Sequence, residues 1–122
     1  MTNAFLGNIE RRTRENVNYR EVLFTGPKLQ LVVMSLEPGD EIGEEIHADH
    51  DQFLRFESGE GKAILNGVPH DMKDGDAVIV PAGMKHNIVN TSSDVPLKLY
   101  TIYAPPEHKP GTIHPRRRDA DA

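Results

Sequence analysis

Turn-forming residues divide this chain into short segments, and their spacing constrains the fold more than any other feature of the sequence. Clusters of Gly, Pro, Asn and Asp recur at intervals of about ten residues, which is typical of short strands joined by tight turns. Asn66-Gly67 is the strongest of these signals, because both residue types accept the positive φ angles of a two-residue hairpin turn. We therefore predict an all-β domain of antiparallel strands.

The segments between these turns have the composition and periodicity of strands. Residues 29–36 are rich in aliphatic and β-branched residues, and residues 52–57 alternate, with Gln52 on the same face as the apolar side chains. Eight segments are predicted as strands, namely residues 29–36, 41–48, 52–57, 62–65, 68–72, 76–80, 86–90 and 97–103. Apart from a weak turn near residues 11–18, no segment has a helical period, so we expect under about 10% helix.

One domain accounts for the 122 residues, since this length is typical of a single unit with its own core. Regular short strands with Gly and Pro turns favour a sandwich or a closed barrel. Residues 29–104 are predicted to form this barrel, and residues 1–28 to form an N-terminal arm with the first strand or strands of the same domain. Residues 105–122, which hold four prolines, are predicted to be a Pro-rich C-terminal arm and tail.

Composition argues against several classes of function. The chain has no cysteine, so any bound metal must be held by nitrogen and oxygen. Its formal charge of −5, with no evident basic face, argues against a nucleic-acid partner. No apolar run approaches the roughly 20 residues that span a bilayer, so we expect no membrane partner. The first residues lack the basic start and apolar stretch of a secretory signal, and we expect a cytoplasmic location.

Residues with the chemistry of metal ligands lie in the middle of the chain. Glu45 and His47 are two positions apart, so their side chains share one face of an extended segment. His50 is an odd number of positions from His47 and would face the other way, although a different register would make it a ligand instead. A turn at residues 49–51 resets the strand phase, so Gln52 can point inward again on the returning strand.

The remaining histidines divide into one candidate ligand and three surface residues. His86 begins a later strand just after a Pro-Ala-Gly turn, and a barrel would let it meet the other three ligand candidates. We predict that Gly83 is needed to place it, because Gly alone takes a positive φ without steric cost. His70 follows the hairpin and is predicted to be exposed. We also expect His108 and His114 to be exposed, the alternative being that they fold over the barrel mouth.

Two spaced motifs in this part of the chain resemble those of a known family. The first reads Gly39, five residues, Glu45-Ile46-His47, four residues, Gln52, six residues and Gly59. The second reads Gly75, five residues, Pro81-Ala82-Gly83, two residues, His86, three residues and Asn90. In order and spacing they are similar to the two motifs of the cupin superfamily. The second matches at every position, and the first departs from the family only at two ligand positions.

The resemblance implies a double-stranded β-helix, the jelly-roll barrel of small single-domain cupins, with a metal site inside it. The family's ligand positions correspond here to Glu45, His47, Gln52 and His86. Glu45 stands where the family usually has its first His, and Gln52 stands where it usually has Glu. Both still offer oxygen to one divalent metal ion, and the set suits Fe, Mn, Ni, Co or Zn. Gln at the third position is also similar to small cupins that act on unsaturated uronates.

For function, the resemblance implies a metal-dependent enzyme that acts on a small oxygen-rich metabolite such as a sugar, a uronate or a keto acid. A barrel interior is a natural cavity for such a ligand. Isomerase, lyase and dioxygenase chemistry are all compatible with a metal there. Glu45 could serve as a catalytic base instead of a ligand. The alternatives are a non-catalytic cupin that binds or senses a small molecule, and a structural barrel without metal.

We also expect the chain to form a homodimer. A barrel this small leaves edge strands, and unpaired edges are usually covered. Two-fold pairing is the commonest way for identical chains to do this. Residues 1–21 and the outward-facing Phe53 are the predicted contacts between the two copies.

Overall fold

The computed structural model describes residues 4–120, and strands with isolated bridges account for 46% of these residues. The elements, in chain order, are α1 (Ile9–Glu15), β1 (Arg20–Thr25), β2 (Gln30–Leu36), β3 (Asp51–Ser58), β4 (Glu60–Leu65), β5 (Val68–Lys73), β6 (Ala77–Val80), β7 (His86–Asn90), β8 (Leu97–Ala104), β9 (Ile113–His114) and α2 (Arg117–Ala120). Neither helix in this part of the chain is long and apolar enough to cross a membrane.

The strands form two antiparallel sheets that enclose one apolar core. The larger sheet has the order β6-β3-β8-β2-β1-β9, and the smaller has the order β5-β4-β7. Met34 and Phe56 from the larger sheet meet Ala63 and Ile88 from the smaller one, and all four are fully buried. Removing such apolar surface from water is the main force that holds facing sheets together. The predicted all-β jelly-roll barrel is confirmed.

The hairpin between β4 and β5 forms at the predicted turn. Leu65 pairs with Val68, and between them Asn66 has a φ of 50° and Gly67 a φ of 82°. Positive φ at both central residues is the mark of a type I′ turn, whose twist matches that of the flanking strands.

Strand β2 is buried on both faces, which explains its nearly continuous apolar sequence. All seven of its residues are buried. Val32 and Met34 belong to the core, whereas Val33 lies outside the core cluster and is still only 1% exposed. The short helix α1 packs against β2, β3 and β8 of the larger sheet, and Asn8 caps it by accepting a hydrogen bond from the backbone N–H of Arg11 at 2.9 Å.

Residues 41–48 were predicted to be a strand, and this prediction is wrong. They make only isolated bridges to β7, at Glu41 and at Glu45. Between these two points Gly43 has a φ of 107°, which lies outside the β region and interrupts the extended backbone. The segment therefore touches β7 at two places without joining the sheet, and the second contact sets Glu45 opposite His86.

Both arms of the chain contribute to the larger sheet, where β1 lies between β2 and β9. A fully buried amide at Gln30 also binds the C-terminal arm. Its Nε2 donates to Thr25 Oγ1 at 2.9 Å and to the His108 carbonyl at 2.7 Å. Its Oε1 accepts from the backbone N–H groups of Glu107 at 3.1 Å and His108 at 2.9 Å. Both ends of this amide are thus satisfied, as buried amides require.

Candidate metal centre

Backbone hydrogen bonds join the segment before β3 to the start of β7. The N–H of Glu45 donates to the carbonyl of His86 at 2.9 Å, and the N–H of His86 donates back at the same distance. The N–H of Gly83 donates to the carbonyl of His47 at 2.8 Å, which ties the turn before β7 to the same segment. Gly83 has a φ of +88°, an angle that residues with side chains rarely adopt.

The side chains of Glu45, His47 and His86 meet in one group. One potential ligand atom from each lies within 4.8 Å of the other two. His47 Nε2 is 3.6 Å from Glu45 Oε1, and the ring centroids of His47 and His86 are 5.3 Å apart. His86 is only 4% exposed, whereas the side chain of Glu45 is 36% exposed. His86 is therefore shielded from solvent, whereas Glu45 is accessible to it.

Gln52, the fourth predicted ligand, lies on β3 with its side chain inside the barrel. It is 3% exposed and pairs across the sheet with Tyr103, whose ring centroid is 5.9 Å from that of His47. Its Nε2 donates to Thr101 Oγ1 at 3.0 Å. Its Oε1 has no hydrogen-bond partner among residues 4–120. The amide therefore offers a free oxygen to the interior.

Several buried polar atoms in this interior have no hydrogen-bond partner among residues 4–120. Within the described part of the chain, His47 Nε2, His86 Nε2 and Gln52 Oε1 are all buried and have no hydrogen-bond partner. Buried polar atoms are nearly always paired in native proteins, so each of these needs an explanation. Nitrogen and oxygen donors of this kind suit first-row divalent metals. Together with the carboxylate of Glu45, they fit a bound divalent ion.

The Nδ1 nitrogen of each imidazole lies beside a hydrogen-bond acceptor. His47 Nδ1 lies 3.3 Å from Glu107 Oε2, and His86 Nδ1 lies 3.0 Å from the carbonyl of Met84. A carbonyl can only accept, so the His86 ring carries its proton on Nδ1 and has its lone pair on Nε2. His47 has a carboxylate near each nitrogen, Glu107 at Nδ1 and Glu45 at Nε2, and a proton on Nδ1 would leave its Nε2 lone pair facing the inner group. This is how histidine ligands are commonly oriented by groups behind them.

Charge in this group favours an ionised carboxylate. Burial by itself raises the pKa of Glu45, but the imidazoles of His47 and His86 and the Arg20 guanidinium outweigh burial, so the pKa lies below its usual value. The same contact with Glu45 raises the pKa of His47, against the opposing effect of burial. Glu45 is therefore negatively charged at neutral pH and able to ligate a cation.

A second group of potential ligands shares His47 and consists of His47, His50 and Glu107. In this outer group, His50 Nε2 lies 3.1 Å from the Pro106 carbonyl and 3.4 Å from Glu107 Oε1. The other oxygen of Glu107 contacts His47 Nδ1 at 3.3 Å. These atoms already have polar contacts, so the outer group supports the ring of His47 from behind.

The two motifs also contain residues that hold the surrounding loops. Asn90 is 1% exposed, and its Nδ2 donates to the carbonyls of Leu36 at 3.0 Å, Glu37 at 3.2 Å and Val95 at 2.9 Å. At Gly59 a Cβ would lie 2.6 Å from the Pro96 carbonyl oxygen, closer than side chains tolerate. The motif spacing thus combines candidate ligands with residues that shape the barrel.

The predicted exposure of His70 is confirmed, but the same prediction for His108 and His114 is wrong. Both arm histidines are half-buried. The His108 ring centroid is 5.1 Å from that of Tyr103, and burial lowers the pKa of His108 to about 4. His114 Nδ1 lies 3.3 Å from Arg20 Nη1. The pairing of β9 with β1 and the hydrogen bonds of Gln30, described above, draw the arm against the barrel.

Glu107 and Arg20 shape this interior, and neither has a local signal in the sequence. Glu107 lies in the Pro-rich arm, where an acidic residue usually faces water. Arg20 begins β1 and is only 7% exposed, although arginine is among the residues least often buried. No motif spacing connects either residue to the candidate ligands, because their contacts arise from long-range packing.

Comparison with known proteins decides the family. A family model described as a cupin domain matches residues 32–103. The chain belongs to the cupin family. This cupin is 46% identical over 125 residues to the uncharacterized protein YrkC of Bacillus subtilis (strain 168), an alignment that covers 97% of this chain and 66% of YrkC. The cupin therefore spans about two thirds of the length of that relative.

Two further relatives agree in sequence and in structure. The cupin is 42% identical over 117 residues to the uncharacterized protein L612 of Acanthamoeba polyphaga mimivirus, covering 93% of this chain and 73% of L612. The crystal structure of BH2720 from Bacillus halodurans superposes with a TM-score of 0.92 at 42% identity, covering 96% of this cupin and 92% of that chain. These names state no activity, so function has to be argued from the interior residues.

Proposed function

We propose that this cupin binds one divalent metal ion through Glu45, His47, Gln52 and His86 and acts as an enzyme on a small oxygen-rich metabolite. Three buried atoms without a hydrogen-bond partner in residues 4–120, His47 Nε2, Gln52 Oε1 and His86 Nε2, beside an ionised carboxylate, support this proposal most directly. A buried polar atom without a partner is unfavourable by about 1–3 kcal/mol. Ligation of a metal ion would remove that penalty at three atoms and couple metal binding to the stability of the barrel.

The donor set limits which metals the site would bind and which reactions it would support. Two imidazole nitrogens, a carboxylate and an amide oxygen suit Fe, Mn, Ni, Co or Zn. When bound, such an ion supplies a Lewis acid that polarises a carbonyl or hydroxyl oxygen of the substrate. Sugars, uronates and keto acids carry such oxygens, and isomerase, lyase or dioxygenase chemistry would follow from their activation.

The protein's own groups would orient the substrate and move protons. Glu45 is ionised and partly open to solvent, so it can either ligate the ion or accept a proton from the substrate. Burial raises the pKa of Tyr103 well above its usual value, so this phenol stays neutral and keeps an O–H to donate to a ligand. Glu107 would hold the ring of His47 in the ligating orientation.

Elemental analysis of the protein, purified without a metal-affinity tag, tests the metal site. We expect about one equivalent of a first-row metal per chain. A screen of sugars, uronates and keto acids with protein loaded in turn with each metal then tests catalysis. Turnover would support the enzyme, and tight binding without turnover would instead favour a non-catalytic binding or sensing cupin. Refusal of Fe, Mn, Co, Ni and Zn alike would contradict the proposal.

We further propose that the cupin forms a homodimer through an apolar patch on the larger sheet. The patch consists of Phe53, its strand partners Ile79 and Ile102, and Tyr100, whose ring centroid is 6.0 Å from that of Phe53. Ile79 is 65% exposed and lies on β6, an edge strand, so one partner could cover both the patch and the edge. Light scattering should give a dimer at micromolar concentration and a monomer for Phe53→Glu/Ile79→Glu. A monomeric wild type would refute this.

A further inference from the structure

A buried arginine faces the barrel interior from the first strand. Arg20 and Val22 are the two buried residues of β1, and Val22 belongs to the core cluster. Because alternate residues of a strand share a face, Arg20 points to the same interior as Val22. Only 7% of Arg20 is exposed, so its guanidinium has been withdrawn from water.

This guanidinium lacks the partner that a buried cation normally has. Among residues 4–120, no carboxylate oxygen lies within 4.0 Å of an Arg20 nitrogen, and its buried Nε has no hydrogen-bond partner. The contacts it does make are weak ones: Nη1 lies 3.3 Å from His114 Nδ1, and Cζ lies 5.1 Å from the centre of the Tyr19 ring. Proteins almost always pair a buried charge, because burying it alone is strongly unfavourable.

The charge of Arg20 acts on the groups of the candidate metal centre. With His47 and His86, Arg20 is among the groups that pull the pKa of Glu45 below its usual value, against the opposing effect of burial. Burial, and after it the charge of Arg20, lowers the pKa of His108. The ring of Tyr103 lies between these groups, 5.9 Å from His47 and 5.1 Å from His108.

We propose that Arg20 binds a carboxylate group of the substrate, so that the cupin acts on uronates or keto acids and not on neutral sugars. This inference rests on the proposed function, because it assigns a substrate class to the same interior. A guanidinium presents pairs of N–H groups that match the two oxygens of a carboxylate. The unpartnered Nε–H of Arg20 is one donor of such a pair.

Neighbouring charges favour a singly charged anion over phosphate. Within residues 4–120, Arg20 is the only lysine or arginine buried as a whole residue; the side chain of Arg117 is 37% exposed and lies 4.0 Å from the Asp40 carboxylate, which already balances its charge. The carboxylates of Glu45 and Glu107, which flank His47, would repel a dianion more strongly than a carboxylate. Phosphate therefore serves as the competing ligand in the test.

Calorimetric titration of the full chain with matched probes tests this assignment. The probes are pyruvate against hydroxyacetone, D-galacturonate against D-galactose, and inorganic phosphate, with the metal content of each sample measured by mass spectrometry. We expect wild-type protein to bind at least one acid about tenfold more tightly than its neutral partner. Arg20→Gln should lose that preference and keep its metal. Arg116→Gln, at an arginine side chain that is 64% exposed, should keep the preference.

Several outcomes would overturn the assignment. These are no binding of either acid, equal binding of acids by wild type and Arg20→Gln, and tighter Arg20-dependent binding of phosphate. Failure of the proposed function would look different. A protein that holds no metal, but whose acid binding still depends on Arg20, would contradict the metal enzyme and still support the carboxylate site.

A second variant, Arg20→Met, tests whether Arg20 binds the ligand or only stabilises the fold. It also replaces Arg20→Gln in the titrations if that variant does not fold. Arg20→Met keeps the length of the side chain and removes the buried charge. Because that charge has no counter-ion within residues 4–120, we expect the acid preference to be lost while Tm stays unchanged or rises by up to about 4 °C. A Tm below that of wild type would show that Arg20 stabilises the fold and would overturn the assignment.

Discussion

The inner and outer groups of polar side chains share the ring of His47 and differ in how fully their atoms are paired. Glu45 lies beside Nε2 of the ring and Glu107 beside Nδ1, and His86 belongs to the first group and His50 to the second. Both groups are compact enough to hold an ion. In the inner group, within residues 4–120, His86 Nε2 has no partner, and His47 Nε2 has only Glu45 Oε1, at 3.6 Å and beyond hydrogen-bond distance. In the outer group, His50 Nε2 lies 3.1 Å from the Pro106 carbonyl, and the two oxygens of Glu107 lie 3.3 and 3.4 Å from the imidazoles. Both groups are equally compact, so the buried Nε2 of His86, unpartnered within the described residues, is the observation that favours the inner group as the metal site.

Removing a ligand of the inner group should have the largest effect. His47→Ala and His86→Ala should each lower metal affinity by more than about 100-fold, since even groups behind a ligand change affinity by 10–100-fold. Gln52→Ala should weaken binding less. His50→Ala and the exposed control His70→Ala should retain one metal per chain, measured by elemental analysis after dialysis. Loss of metal in His50→Ala, but not in His47→Ala, would move the site to the outer group.

Substituting Glu107, a residue of the outer group that is not a proposed ligand, should lower metal affinity by a smaller factor. Glu107→Gln removes the charge that orients His47, so metal affinity should fall about tenfold, measured by calorimetry. Glu44→Gln, at an exposed carboxylate of the preceding loop, is the matched control and should bind metal as wild type does. Unchanged affinity in Glu107→Gln would show that the outer group does not support the inner one.

A substitution in the turn before His86 should lower metal affinity less than substitution of a ligand. Gly83 has a φ of +88° and no neighbour within 4 Å of an added Cβ, so Gly83→Val is opposed by backbone strain and not by a clash at Cβ. That strain is about 1–2 kcal/mol and should appear as a several-fold loss of metal affinity. Gly26→Val lies at a glycine without a positive φ and should change affinity less. Equal losses at the two positions would contradict a special role for Gly83.

Acid should lower the free energy of unfolding through His108, which follows Glu107 of the outer group in the C-terminal arm. His108 has a pKa of about 4 in the folded protein, below its value of 6.5 when unfolded, because burial disfavours the charged ring. Between these values only the unfolded chain binds the proton, so the free energy of unfolding should fall as pH drops from 6.5 toward 4. His108→Gln should flatten this dependence in urea titrations, and the exposed control His70→Gln should not. Parallel pH profiles for wild type and His108→Gln would argue against it.

Local turn chemistry made much of the fold predictable. The Asn66-Gly67 hairpin and the spaced motifs depend on short-range rules, and they also indicated three residues that the structure brings together. The irregular conformation of residues 41–48 was not predicted, because an extended-strand pattern does not indicate a positive φ at Gly43. Arg20 and Glu107 were missed because their places in the interior depend on pairings between the two arms and the barrel, which no local pattern encodes.

The amide of Gln30 determines how far this protein can be shortened. Its four hydrogen bonds join β1, β2 and the start of the C-terminal arm across most of the length of the chain. A variant cut before residue 107 would remove the partners of three of those bonds, and a hydrogen bond contributes about 0.5–1.5 kcal/mol net to stability. Protein engineers who trim the proline-rich end as dispensable should therefore expect poor folding and proteolytic sensitivity, whereas trimming after the short strand β9 keeps this amide satisfied.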